Sequence, residues 1–284
     1  LIPLEESSKA KDLQIELAKL LSEKDTSESI RLAREVRIKE PHTIEQLDEI
    51  AAIFERLGFY HDASLSLIKS INLSKNADDI IQRCWKISTL EKENNDSEEK
   101  KIALENILQI KPDNEEAYNL LSDMFRISNQ WRQLVQLNDN FYINASSSLK
   151  KSILKENIKI REKTLKEIDF AFIDACRLYK EDPNILENTE TLFRLADLSH
   201  SHDELSAILE DTIDTVSDVD IKSKTLFRLS QLYRHTLKDI PSAEQTLRRV
   251  LAIDPKNTTI IQNLADLGAV DDRYDKQIEA MRLK

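Results

Sequence analysis

Glycine is almost missing from this chain, with 2 in 284 residues. Ordinary usage is about 7 %. Sheet folds draw on glycine for hairpins and bulges, and phosphate-cradling loops are built from it, so both are excluded by count. Proline occurs only 6 times and aromatics make up 6 %. The two cysteines, Cys84 and Cys176, supply neither a disulfide framework nor a zinc pattern. Both fall in helical contexts and read as small buried hydrophobes. A surplus of positive charge is missing too, since the formal net charge is −11. Nucleic-acid binders need a dominant basic surface, which argues against that class. No apolar run approaches the roughly 18–20 residues of a membrane span. No signal peptide is visible, and the cytoplasm is the expected compartment. Leu1 in place of a starting Met is what an excised segment or processed product would show.

Helix formers fill the chain instead: Leu, Glu, Lys, Ala and Arg. The phrase "VLAIDPKN" at 250–257 nearly repeats "ILQIKPDN" at 107–114, so internal repeats are the first question. In "LDEIAAIFERLGFYHDASLSLI", residues 47–68, one stripe runs through Leu47, Ile50, Ala51 and Phe54. Gly58 breaks it, and a second stripe follows through Ala63 and Leu67. That is a helix–turn–helix hairpin. A large–small pair marks the register at Ile50-Ala51, Ile87-Ser88, Leu121-Ser122, Leu195-Ala196, Leu229-Ser230 and Leu264-Ala265. The tight steps are 34 or 35 residues, and looser ones of 37 imply insertions in the turns. Pro41, Pro112, Pro183 and Pro255 close second helices, and Asp113, Asn114, Asn184 and Asn257 are placed to cap the next ones. Pro241 fits the first turn of a helix. The hydrophilic "EKENNDSEEK", residues 91–100, reads as an extended turn.

A helix pair of 34 residues resembles the tetratricopeptide repeat. Leu47, Ile50, Ala51, Phe54, Gly58, Tyr60, Ala63, Leu67 and Ser70 fill that motif almost without a gap. Leu226, Leu229, Ser230, Tyr233, Ala243, Leu247 and Pro255 fill it again. The stretches 109–135 and 232–257 resemble long bacterial proteins of the family. Departures are the turn glycine, found only at Gly58, and the polar helix "SILKENIKIREKT". The resemblance implies an all-α, right-handed α–α superhelix of about seven to eight hairpins, one domain over 1–284. Repeats begin near Ala10, Ile44, Ile81, Glu115, Ser152, Thr189, Ser223 and Thr258.

In such an array the first helices line a groove. The expected peptide-binding residues are Phe193 and Arg194 of the sixth repeat, Lys224, Phe227, Arg228, Gln231 and Arg234 of the seventh, and Gln262 and Asn263 of the eighth. Residues 221–250 hold seven Lys/Arg against Asp239 and Glu244. Arginine forks and phenylalanine walls suit an acidic peptide or terminal carboxylate. The plainer reading is a solvated face, or pairing with the ten acids of residues 185–220. Of the lysine–asparagine–arginine set used by chaperone-binding members, only Lys224 and Arg228 have a match; Glu156, Ile160 and Arg194 occupy the other positions. Glu45, Asp48 and Glu49 give the N-terminal groove the opposite sign, and Trp131 reads as core.

"HSHD" at 200–203 lacks further metal ligands nearby and reads as a solvated turn with Asp203 capping a helix. No serine or cysteine pairs with a histidine by spacing. The expected role is therefore non-catalytic, a scaffold for a protein or acidic peptide, with no cofactor and no metal. The alternatives are an RNA-binding helical repeat and a regulatory segment of a larger protein. A self-assembling segment joined through its terminal repeats is a further variant.

Overall fold

A computed structural model describes residues 4–40 and 42–270. Pro41 and the tail after Val270, including the end of the last repeat, lie outside them. The described residues form α-helices with short 3₁₀ and π turns and no strand. The chain divides after Ala145 into two compact units.

The first unit holds α1 (Leu4–Leu21), α2 (Thr26–Ile38), α3 (Ile44–Arg56), α4 (Tyr60–Leu73), α5 (Ala77–Leu90), α6 (Glu98–Ile110), α7 (Glu115–Ile127) and α8 (Trp131–Tyr142). The second holds α9 (Ser147–Ile160), α10 (Ile168–Glu181), α11 (Leu186–Ser199), α12 (His202–Thr212), α13 (Val219–Gln231), α14 (Ile240–Ile253) and α15 (Thr258–Val270). Helices pair in order as antiparallel-type hairpins, and in the first unit α1 also touches α3 and α4 touches α6. First helices start close to the positions that the repeat register set.

The packing follows the apolar stripes. Every large–small pair named above is buried. A serine is tolerated at the small position because its hydroxyl finds a carbonyl within its own helix. Ser122 Oγ donates to the Asn119 carbonyl at 2.9 Å and Ser230 Oγ to Phe227 at 2.6 Å. Helix starts are capped largely as expected. Asn114 Oδ1 accepts from Ala117 N–H and Asn257 Oδ1 from Ile260 N–H, and Pro241 sits in the first turn of α14. Two expected caps are corrected. Asn184 turns away from α11 and accepts from the N–H groups of Ser217 and Asp218, one repeat on. Asp203 lies inside the first turn of α12, where the N-cap residue is Ser201.

Five of the seven described hairpin turns share one backbone device. A residue with positive φ follows the first helix: Gly58 at 79°, Asn129 at 56°, Lys166 at 60°, His200 at 58° and Lys238 at 58°. After Gly58, Asn129 and His200 the next N–H returns to a carbonyl five residues back, as in Phe59 N to Phe54 O at 2.8 Å, which closes the helix end. In the fifth and seventh repeats the return spans six residues, Glu167 N to Arg161 O and Asp239 N to Tyr233 O. There the helix ends in a π turn, Arg161–Leu165 or Leu232–Leu237. Each π turn absorbs one inserted residue, the usual origin of such bulges.

Only glycine reaches this backbone region freely. The exposed Lys166 and Lys238 bear a left-handed cost of about 1–2 kcal/mol each, part of which glycine would return as entropy of the unfolded chain. Lys166→Gly and Lys238→Gly are each expected to stabilise by about 0.5–1 kcal/mol, read as a higher urea midpoint. A lower midpoint for both would contradict the turn geometry.

Counting back from the turn residue also corrects the register of the sixth repeat. Gly58 follows Ala51 by seven residues and Asn129 follows Ser122 by seven. Seven residues before His200 stands Phe193, and Ala196 occupies the place of Phe54. The large–small pair expected at Leu195-Ala196 thus lies one helical turn too late. The ring and the small side chain have exchanged places.

Candidate functional site

The expected site belongs wholly to the second unit, on α11, α13 and α15, except Arg234, which lies in the π turn that follows α13. Since Phe193 stands at the small position, it faces the neighbouring hairpin and is buried. Arg228 of α13 covers it, with its guanidinium carbon 3.8 Å from the ring centroid, well within cation–π range. Desolvation there lowers the Arg228 pKa, and the charges of Glu190 and Asp197 oppose the shift. Among the described residues Arg228 has no ion pair, and it remains exposed on its outer side.

Phe227 is half-buried against the core of Leu226, Ala243, Leu247 and Leu264. Arg194 is exposed and forks onto Glu162 of the preceding repeat, with Nη2 to Oε2 at 3.0 Å. Gln231 Nε2 donates to Asn263 Oδ1 at 3.3 Å, joining α13 to α15, and His235 Nε2 lies 2.9 Å from Gln231 Oε1. Gln262 Nε2 donates to Asp266 within its own helix at 2.8 Å. The two phenylalanines are therefore part of the packing, and the side chains that face outward are polar.

The basic stretch divides into two groups. Lys222 pairs with Asp214 at 3.6 Å, Arg248 with Glu244 at 3.1 Å, and Arg249 with Glu210 at 2.5 Å. Lys224, Arg228, Arg234 and Lys238 have no ion pair among the described residues. In the first unit two of the three acids named on the corresponding helix are consumed by the same kind of cross-repeat pairing. Asp48 holds Arg83 at 2.7 Å and Glu49 holds Lys19 at 3.2 Å.

One feature was not picked out from the sequence. Between α9 and α11 lies a cleft of about 440 Å³ whose lining includes Lys155, Lys159, Glu162, Lys163, Thr191 and Arg194. The signal was present: the lysines recur every fourth residue in the helix noted only as polar, and that spacing puts them on one face. Trp131 is a correction, since it is only partly buried at the start of α8.

Turns with a left-handed residue recur 34 to 38 residues apart, at Lys166, His200 and Lys238 in the second unit, and join helices packed in sequence order. The fold is of the tetratricopeptide type. No family model and no curated protein matches the chain. Among solved structures it is similar to the C-terminal part of a tetratricopeptide protein from Cytophaga hutchinsonii, at 14 % identity, with 88 % of this chain and 99 % of that one covered and a TM-score of 0.31. A second is the P58(IPK) tetratricopeptide domain, at 11 % identity, 96 % and 92 % coverage and a TM-score of 0.34. Yeast Tom70 follows at 16 % identity, 90 % and 53 % coverage and a TM-score of 0.32. Likeness at this level carries no argument about function. No helix among the described residues is long and apolar enough to cross a membrane.

Proposed function

We propose that this chain is a non-catalytic scaffold whose second unit holds an extended acidic segment of a protein partner. The observation that carries the reading is the unequal pairing of the basic stretch. Lys222, Arg248 and Arg249 spend their charge on neighbouring acids. Lys224 and Arg228, on the first helix, keep theirs for the surface.

The chemistry is that of carboxylate recognition. Arg228 is oriented by the Phe193 ring, so its fork loses little freedom on meeting a carboxylate. The Lys155–Lys159–Lys163 row and the cleft beside it extend the basic surface to the fifth repeat. A chain of net charge −11 repels the continuous phosphate backbone of RNA more than a short acidic segment seated on one basic patch, which favours a protein partner over RNA.

The test is fluorescence anisotropy of a labelled glutamate-rich peptide, with a short single-stranded RNA as competitor. Lys224→Ala/Arg228→Ala is expected to weaken peptide binding about tenfold or more, on the scale of two lost charge-assisted contacts. Unchanged binding by the double variant would sink the reading. Displacement by RNA with a steep salt dependence would replace it with the nucleic-acid one.

A further inference from the structure

The extended turn between α5 and α6 brings three ligand-type side chains together from three helices. His61 lies in the first turn of α4, Glu91 closes α5, and Glu99 lies in the first turn of α6. One atom from each falls within 4.8 Å of the other two. His61 Nδ1 is 3.5 Å from Glu99 Oε2 and 3.8 Å from Glu91 Oε1.

Two observations separate this group from an ordinary surface ion pair. The first is Glu91, whose side chain is only 5 % exposed. Its Oε2 accepts from Asn94 Nδ2 at 3.3 Å, but Oε1 is buried with no hydrogen-bond partner and is the atom turned toward His61. A buried carboxylate oxygen left in that state is costly. The second is the spacing. Distances of 3.5 and 3.8 Å are too long for hydrogen bonds. They are close to the roughly 3.4 Å between ligand atoms around a tetrahedral ion with bonds of about 2.0–2.2 Å.

We infer that His61, Glu91 and Glu99 form a binding site for a divalent transition ion of the zinc type, with a water in the fourth position. The imidazole selects such an ion over Mg²⁺ or Ca²⁺. Two carboxylates and a neutral imidazole match its charge. The buried Lys100 nearby donates Nζ to the Lys92 carbonyl at 3.4 Å. Ser97 Oγ donates to Glu99 Oε2 at 3.2 Å and orients that ligand, as outer partners of metal ligands commonly do. The ion would clamp the ends of α4, α5 and α6, which makes the inserted turn a structural metal loop.

The chain stripped with EDTA is titrated with Zn²⁺ by calorimetry and with Co²⁺ by visible absorption. One equivalent is expected to bind, with Co²⁺ giving the d–d bands of a low-coordinate site. Saturating Zn²⁺ at a hundredfold excess over its Kd is expected to raise Tm by about 5 °C. His61→Ala and Glu99→Gln are each expected to weaken binding at least about tenfold. The His61 side chain is 63 % exposed, so its loss leaves the packing intact, which a melt without metal verifies. His202→Ala, in the stacked His200–His202 pair, is expected to change nothing. No Zn²⁺ binding by the stripped chain, or equal affinity in the parent and His61→Ala, would overturn the assignment.

Discussion

Asp174→Ala is expected to destabilise the second unit by about 3–5 kcal/mol, the cost of leaving one partner of a buried ion pair behind. The Asp174 side chain is fully buried and that of Arg161 is 8 % exposed. They meet between the end of the fifth repeat's first helix and the middle of its second. Counting back from Lys166 and allowing for the π residue, Arg161 stands where α3 carries Phe54. A charge has taken the ring position, and Asp174 on α10 answers it. Arg177 adds a longer contact to the same carboxylate at 3.6 Å. The Arg161 guanidinium also lies 5.5 Å from the Phe170 ring centroid, and its carbonyl accepts the Glu167 N–H that closes the π turn. Removing the carboxylate takes the Asp174 partner away from a buried guanidinium at a helix terminus. Replacing both partners, Arg161→Met with Asp174→Leu, is expected to cost far less, because no charge is then left buried. Urea unfolding followed by far-UV circular dichroism reads both variants. A single variant within about 1 kcal/mol of the parent would show that the pair is dispensable.

Phe54→Ala is expected to cost the first unit about 3–5 kcal/mol. The ring is fully buried, so truncation removes its burial and leaves a cavity. It also withdraws the surface that seats Arg37, whose guanidinium lies 5.3 Å from the ring centroid. Arg37 in turn holds Asp62 through a 2.8 Å ion pair and donates to the Asp62 carbonyl at 2.8 Å. Arg34 reaches the same carboxylate at 2.5 Å. The loss thus spreads from one ring to the contact between α2 and α4. Phe54→Leu keeps most of the volume and is expected to cost under about 1.5 kcal/mol. Both tryptophans, Trp85 and Trp131, lie in the first unit, so their fluorescence follows this transition. Equal midpoints for the Ala and Leu variants would show that the cavity is not what matters.

Much of the fold was legible because it is written locally. Scarcity of glycine, the 34-residue recurrence and the buried stripes all depend on residues within one hairpin. The capping roles of Asn114 and Asn257 and the position of Pro241 were legible for the same reason. The turns were only partly so. A turn glycine marks Gly58, but Asn129, Lys166, His200 and Lys238 adopt the same left-handed backbone, since a cost of about 1–2 kcal/mol is within what the surrounding packing overcomes. The exchange of ring and small side chain in α11 misled the register, as Leu195-Ala196 and Leu192-Phe193 are both buried pairs on one helix. Asn184 was read as a cap because its better partners lie 33 and 34 residues away.

The sequence by itself determined that this is a helical repeat chain, where most hairpins begin and end, and which face of each helix is apolar. Those properties follow from helix propensity, period and capping, all short-range. The tertiary structure alone decided which charges are spent. Arg194 meets Glu162 across 32 residues, and Arg249 meets Glu210 across 39, while Lys224 and Arg228 are left to the surface. It alone brought His61 to Glu91 and Glu99 across an insertion that looked like filler. Pairing of this kind depends on how hairpins stack, because a side chain reaches only a few ångströms and must be carried to its partner by the fold.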